Sequence, residues 1–371
     1  VSFLDDLKVR VGYGVTGNNN FSAGASTAMY SSNSMWPYNG TWITSYGPAR
    51  NVNNDLHWEK KAELNIGLDY AFLNNRLFGK FDIYKRRVSG MLYNISVPNP
   101  PAVYEKTTMN YGNLENTGWE FEIGGVPVKT KDFNWTTTMR LSHSSSKITS
   151  LWGNNTYQDR VGFPSPGTNG SAGRIEAGTK IGSYYIWKYA GITDNGRWLL
   201  YDKNDNVILS DKKTYDDKRY IGNAIPALMV SWDHTFTYKN LSLGINLRSW
   251  IDFDVFNTIN MYYGLSEVAG QNVLRNAYID NRHIKEVKQL EDGTFLKIDA
   301  ISLGYSLNMK KWQKYIDKID LYLTVRNVAC FTKYSGLNPE VNVNGLDPGY
   351  EWFNNIYPET RRYTVGMKIQ F

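Results

Sequence analysis

The sequence predicts an all-β protein: a transmembrane antiparallel up-and-down β-barrel, of which this chain supplies about ten strands. Apolar and polar residues alternate over repeated segments of about ten residues, as strands with one apolar face require. The connections between these segments are alternately short and long. Aromatic residues make up 15% of the chain, with 27 Tyr and 12 Trp, which suits the aromatic girdles of such barrels.

The last segment shows the alternation most clearly. Successive side chains of a strand point to opposite faces, so residues two apart share a face. One face is apolar and holds Tyr363, Val365, Met367, Ile369 and Phe371. The other holds Arg362, Thr364, Gly366, Lys368 and Gln370. The same pattern, stronger or weaker, recurs at residues 7–15, 62–70, 75–87, 117–128, 133–141, 228–238, 241–247, 295–306 and 319–325.

Short and long connections alternate along the whole chain. Short ones are expected at residues 74–75, 129–132, 239–240 and 308–317, and long ones at 16–57, 88–116, 145–226, 253–294 and 327–360. Outer-membrane barrels have short periplasmic turns and long extracellular loops, and a descending final strand places every short turn on the periplasmic side. A soluble β-sandwich or propeller also alternates, but loops this long are uncommon in compact soluble domains. Within the longest loop, residues 184–208 are expected to form a hairpin.

Composition excludes several other classes of protein. The formal charge of +6 comes from scattered Lys and Arg with no basic stripe, so nucleic acid is not an expected partner. A single cysteine, Cys330, excludes an internal disulfide or a Cys-based zinc site. No run of about 18 apolar residues predicts a membrane helix, whereas a spanning strand needs only about 9–11 residues. The mean hydropathy of −0.47 is compatible with such strands.

The sequence predicts neither an enzyme nor a cofactor or metal site. The four histidines lack metal-ligand spacing to one another, and one of them, His234, falls on an apolar strand stripe. We expect Cys330 to be a small packed residue, and the acidic pairs at 5–6, 216–217 and 291–292 to lie in solvated turns. The stretch 202–206 is similar to the start of a calcium loop, but Val207 and Lys213 stand where that motif needs Gly and Glu.

The order of short motifs resembles the SusC/RagA family of TonB-dependent outer-membrane transporters from Bacteroidetes. Each piece is short, but together they cover essentially the whole chain. The matching pieces are residues 7–18 (LKVRVGYGVTGN), 56–60 (LHWEK), 65–70 (NIGLDY), 74–77 (NNRL), 82–84 (DIY), 113–120 (NLENTGWE), 220–226 (YIGNAIP), 333–340 (KYSGLNPE) and 361–371.

The resemblance implies a barrel of about 22 strands with an N-terminal plug. It further implies a SusD-like surface lipoprotein as partner, TonB as the energy source, and oligosaccharides or peptides as substrates. Residues 1–371 are expected to be the C-terminal portion of the receptor barrel, with the plug and the N-terminal strands outside this chain. The opening at Val1, without a start Met, reads as a piece of a longer protein. The resemblance also implies that the barrel-assembly machinery recognises Phe371; alternatively, this residue is simply the last one facing outer-membrane lipid.

Aromatic residues in the long loops are the candidate substrate contacts, because Trp and Tyr stack on the C–H faces of sugar rings. They are Trp36, Trp42, Trp152, Tyr157 and Trp352. The alternative is that these side chains pack the loops together or against the lipoprotein. Two other functions stay open: a soluble or surface-attached β-rich glycan-binding module and, more weakly, a glycosidase-like enzyme on a β scaffold.

Overall fold

The computed structural model describes residues 3–21, 24–153, 157–160, 172–194, 197–263, 272–275, 290–309, 315–341, 345–346, 348–351 and 357–371. Its strands are β1 (Leu4–Asn18), β2 (Tyr30–Tyr38), β3 (Thr41–Pro48), β4 (Glu59–Phe72), β5 (Leu77–Ser96), β6 (Lys106–Lys129), β7 (Phe133–Leu151), β8 (Tyr157–Arg160), β9 (Gly173–Glu176), β10 (Ser183–Trp187), β11 (Tyr189–Ile192), β12 (Trp198–Tyr201), β13 (Val207–Leu209), β14 (Lys218–Asn223), β15 (Leu228–Tyr238), β16 (Leu241–Ile251), β17 (Asp254–Asn257), β18 (Leu290–Asp292), β19 (Phe295–Asn308), β20 (Lys318–Thr332), β21 (Tyr350–Glu351) and β22 (Arg362–Gln370). A short helix, α1 (Thr258–Tyr263), and 3-10 turns at Ser210–Lys212 and Tyr215–Asp217 lie in the loops.

Ten strands form one large sheet in the order β1-β4-β5-β6-β7-β15-β16-β19-β20-β22. Every neighbouring pair is antiparallel, and neighbours in space follow one another along the chain once the loop strands are set aside. This is the up-and-down arrangement that the alternation predicted, and the expected number of about ten strands is confirmed.

The short connections are confirmed, but one long connection was predicted wrongly. Residues 73–76, 130–132 and 239–240 link successive strands. Residues 88–116, however, are not a loop, because β5 continues to Ser96 and β6 begins at Lys106, and these two residues are paired. Strand segments beyond the membrane meet water on both faces, so nothing there selects for alternation, and the pattern does not reveal them.

The apolar face of the large sheet is not covered by a second layer. Leu64, Leu321 and Ile369 keep 44%, 41% and 37% of their surface exposed, and Leu243 is half-buried among its strand neighbours. A soluble sandwich would bury these side chains in a dry core, because apolar burial is its main source of stability. The exposed band fits lipid as its solvent, as predicted for a membrane barrel.

The opposite face of the sheet is polar and crossed by ion pairs. Arg10 of β1 lies 2.9 Å from carboxylate oxygens of both Asp69 on β4 and Asp82 on β5. Arg140 of β7 similarly contacts a glutamate on β6 and an aspartate on β15, each at 2.7 Å. Each arginine joins three adjacent strands through charges that stay hydrated, as the water-facing wall of a barrel permits.

The buried residues are concentrated in the long loops rather than under the large sheet. Small sheets form there, in the orders β14-β10-β9-β8, β11-β12-β13, β18-β17-β21 and β2-β3. Tyr184, fully buried, stacks on Phe256 with ring centroids 6.1 Å apart. The hairpin expected within residues 184–208 is confirmed in a narrower form, with β12 and β13 joined through 202–206. Among the described residues, no helix is long and apolar enough to span a membrane.

Several predictions about polar residues were wrong, and Asp5 and Asp6, which were expected in a turn, lie on β1. Cys330 is exposed rather than packed. Asp217 was expected in a solvated turn, but it is only 5% exposed. Its carboxylate accepts the Thr214 N–H and hydroxyl at 2.7 and 2.8 Å and the Lys203 N–H at 2.9 Å. These donors lower the pKa of Asp217 and make its burial tolerable.

Candidate functional site

A two-stranded hairpin, β2–β3, carries two of the predicted ligand-contact residues. Asn39 and Gly40 form its turn with φ of 46° and 76°, values that favour Asn-Gly in a two-residue hairpin loop. Trp36 pairs with Ile43, whereas Trp42 pairs with Pro37, so the two indoles lie on opposite faces. Each indole is about two-thirds exposed, at 64% and 65%. A single ring therefore cannot stack on both.

The hairpin lies in a stretch without charge. Residues 17–49 contain no Asp, Glu, Lys, Arg or His. Tyr46 shares a face with Trp42 and is 73% exposed. An uncharged surface of exposed aromatic rings suits uncharged ring-shaped or apolar ligands better than ionic ones.

A cavity of about 440 Å³ opens at the base of the hairpin. Its lining is largely apolar and includes Met29, Pro48, Val97 and Val103. Asn51 fixes one wall, since its side-chain amide donates to the carbonyls of residues 104 and 106 and accepts the N–H groups of residues 103 and 104, at 2.7–3.0 Å. The volume is within the range of small-ligand pockets.

The third predicted contact residue, Tyr157, takes part in a cation–aromatic cluster. The Arg174 guanidinium lies 3.7 Å from the ring centroid of Tyr157 and 3.9 Å from that of Tyr185. Arg174 also pairs with Asp159 at 2.6 Å. The Tyr157 ring thus covers one side of the buried Arg174 guanidinium. This contact favours a packing role for Tyr157 over substrate contact.

The same small sheet holds Lys218, which sequence reasoning missed. Its ammonium lies 4.5 Å from the ring centroid of Trp187 and 5.1 Å from that of Tyr215. Burial lowers the pKa of Lys218 to about 8, because the charged form loses its hydration there. No sequence signal marks it, since the rings come from residues that are distant or on different strands.

The remaining predicted residues lie apart from these clusters. Trp152, just after β7, is 57% exposed. Trp352 lies outside the described residues. Phe371 follows β22 and is 87% exposed. The predicted aromatic contacts are therefore distributed over separate loops, and the described ones do not form a single aromatic pocket.

A buried carboxylate fixes the loop between β20 and β22. Glu351 is fully buried and accepts the Tyr334 hydroxyl at 2.6 Å and the N–H groups of Leu337 and Asn338 at 2.9 and 2.8 Å. Burial raises the pKa of Glu351, and the three donors offset that effect only in part. Glu291, expected in a solvated turn, instead lies on β18 and accepts hydrogen bonds from this loop and from β17. The Glu351 carboxylate therefore anchors the loop, and it has no position open for coordinating an ion.

Acidic residues do not assemble a metal site in the described part of the chain, where no group of three His, Cys, Asp or Glu side chains could hold an ion. At the stretch similar to a calcium loop, Asp202 accepts the N–H groups of Asn204 and Asn206, both at 2.8 Å. Its carboxylate therefore closes a local turn.

Comparison with known proteins finds relatives that match the chain over its whole length. The chain matches no protein-family model. It is 28% identical over its whole length to the TonB-dependent receptor SusC of Bacteroides thetaiotaomicron, covering 38% of that protein. It is 25% identical, again over its whole length, to the TonB-dependent receptor P39 of Formosa agariphila, covering 41% of it. Over its whole length the chain is therefore similar to TonB-dependent receptors of the SusC type.

Fold comparison agrees with this assignment. The structure of the RagAB peptide transporter superposes on the whole chain with a TM-score of 0.81 at 24% identity, and the chain covers 41% of it. At that identity the likeness establishes the fold alone, which is that of an outer-membrane barrel wall. The chain spans about two fifths of the length of the curated relatives that it matches.

Proposed function

We propose that this SusC-type chain forms part of the barrel wall and the extracellular loops of a TonB-dependent importer. The observation that carries the proposal is the combination of whole-chain similarity to SusC with a sheet that is apolar outside and ion-paired inside. In this proposal residues 1–371 are the C-terminal portion of the barrel. A plug domain and further strands lie outside this chain, and TonB acts through the plug.

The proposed cargo is an oligosaccharide or a peptide, taken up together with a SusD-like surface lipoprotein. The uncharged aromatic hairpin supports an oligosaccharide, whose C–H faces stack on Trp and Tyr. The fold likeness to a transporter of peptides supports the second class. The exposed loop aromatics supply contact area for the lipoprotein, the substrate or both, and Phe371 serves in recognition by the barrel-assembly machinery.

Uptake by cells tests this proposal. A strain lacking the gene is complemented with the full-length receptor or with a variant carrying W36A and W42A. Uptake of labelled oligosaccharides and peptides is measured with and without a protonophore. We expect protonophore-sensitive uptake of one class and co-purification of a surface lipoprotein.

Heat-modifiable gel mobility checks that each receptor is folded. A folded wild-type receptor whose presence changes the uptake of neither class would contradict the proposal. If the W36A/W42A variant takes up substrate like the wild type, the hairpin does not contact substrate, and the proposed transport function is unaffected.

A further inference from the structure

Two adjacent periplasmic turns present a cluster of lysines. Residues 130–132 join β6 to β7, and residues 239–240 join β15 to β16. The turns are bonded to each other, since the Lys239 N–H donates to the Asp132 carbonyl at 2.8 Å. Lys131 and Lys239 are exposed at the turns, whereas Lys129 pairs with Asn134 and therefore lies on the water-facing side. Asp132 is the acidic residue in these turns, so the local charge is positive.

An aromatic strip lies directly above these lysines on the lipid-facing side. Phe133 pairs with Tyr238, and Trp135 pairs with Phe236, so all four share the outer face. The Trp135 and Phe236 rings stack with centroids 5.7 Å apart and planes 18° apart. Tyr238 is 52% exposed, and the Lys239 ammonium lies 5.5 Å from its ring centroid. Rings at this position form the girdle at the level of the lipid headgroups.

A histidine continues this strip towards the membrane interior. His234 lies about 10 Å from the turn, given the rise and tilt of barrel strands. The Trp135 indole N–H is a donor only and lies 3.4 Å from His234 Nδ1, so Nδ1 accepts. A neutral imidazole then carries its proton on Nε2, and that N–H is a donor on the lipid-facing side. The Trp232 ring packs 4.5 Å from the imidazole and holds it in place.

We propose that these groups form a binding site for an anionic phospholipid of the periplasmic leaflet. The phosphate lies against Lys131 and Lys239. A glycerol-ester carbonyl accepts the His234 Nε2–H, and an acyl chain runs along Trp135 and Phe236. Charge and depth select this occupant, because the lysines stand at the level of the lipid headgroups and the His234 Nε2–H stands near the level of the glycerol esters. The site requires only the membrane orientation of the sheet, and it does not depend on transport.

Native mass spectrometry of the detergent-purified full-length receptor tests the site. The receptor is titrated with phosphatidylglycerol or with zwitterionic phosphatidylethanolamine. We expect several-fold tighter binding of phosphatidylglycerol. Each juxtamembrane lysine contributes enough that a Lys→Gln change weakens anionic-lipid binding about fivefold. The double variant K131Q/K239Q should therefore lose most of the preference for phosphatidylglycerol.

Two further variants separate the parts of the site. The matched control K203Q/K212Q removes the same charge from the extracellular loops and should bind both lipids like the wild type. H234L removes the ester contact and should weaken both lipids by a similar factor. Equal wild-type affinity for the two lipids would overturn the proposal even if no variant folds. So would a folded periplasmic-turn variant with unchanged phosphatidylglycerol binding, which would assign the lysines to a periplasmic protein instead.

Discussion

Leu323 offers a direct measure of which solvent the apolar face meets. It lies on β20 between Leu303 and Val365 and is 40% exposed. At the rise of a tilted strand it stands about 13 Å from the periplasmic end, near the middle of the apolar band. An arginine at the bilayer midplane on the lipid face of a barrel costs about 2–4 kcal/mol. In a water-exposed site of equal exposure, the same change stays within about 0.5 kcal/mol.

We therefore expect L323R to lower the free energy of unfolding of the vesicle-embedded receptor by about 2–4 kcal/mol. Thr324, the next residue, lies on the water-facing side, where its hydroxyl is 3.1 Å from that of Ser302. T324R is the matched control and should cost less than about 1 kcal/mol, since lumen substitutions escape the lipid penalty. Urea titration with gel mobility and tryptophan fluorescence gives the folded fraction. Equal costs for L323R and T324R would refute the assignment of the two faces.

Three further predictions concern the loops. E351A should lower the free energy of opening of the amides of residues 334–338, measured by hydrogen exchange, by about 1–3 kcal/mol. E351Q keeps an acceptor for both N–H groups and should stay near the wild type. Equal effects of the two substitutions would contradict the anchoring role of Glu351. Because the folded-state pKa of Lys218 is lowered to about 8, the unfolded loop binds more protons above that pH, so protection of the surrounding sheet should rise from about pH 8 towards 10. K218M should abolish this rise, and a pH-independent wild type would refute it. Since Trp36 and Trp42 lie on opposite faces, a ligand that stacks on one face should lose affinity through only one of W36A and W42A, as calorimetry with the purified receptor can show.

The parts of the fold that the sequence predicted are those on which the bilayer imposes a pattern. Residues 363–371 and 319–325 alternate because lipid and water lie on their two sides, and both are strands as expected. The ends of β5 and β6 near Ser96 and Lys106 stand in water on both faces, so their alternation lapses and they were taken for a loop.

Most of the short strands in the loops could not be predicted from the sequence, for a different reason. Strands such as β9 and β12 are four residues long, too short to carry a period. Asn39-Gly40 is the exception, since this pair is a strong hairpin signal inside the predicted long loop 16–57. Glu351 gave no signal at all, because its burial depends on Tyr334 and on backbone groups that only the folded loop brings near it.

The length of the β5–β6 hairpin has a mechanical consequence. Crossing the hydrocarbon core uses about ten residues of a strand, so the remainder of the 20-residue β5 rises about 25 Å beyond the outer edge of that core. This extension pairs with β6 as far as Ser96, with register shifts around Met91, and so forms a two-stranded ribbon. A force applied at residues 97–105 would pass into the barrel wall through the backbone hydrogen bonds between β5 and β6, because no flexible linker lies between them.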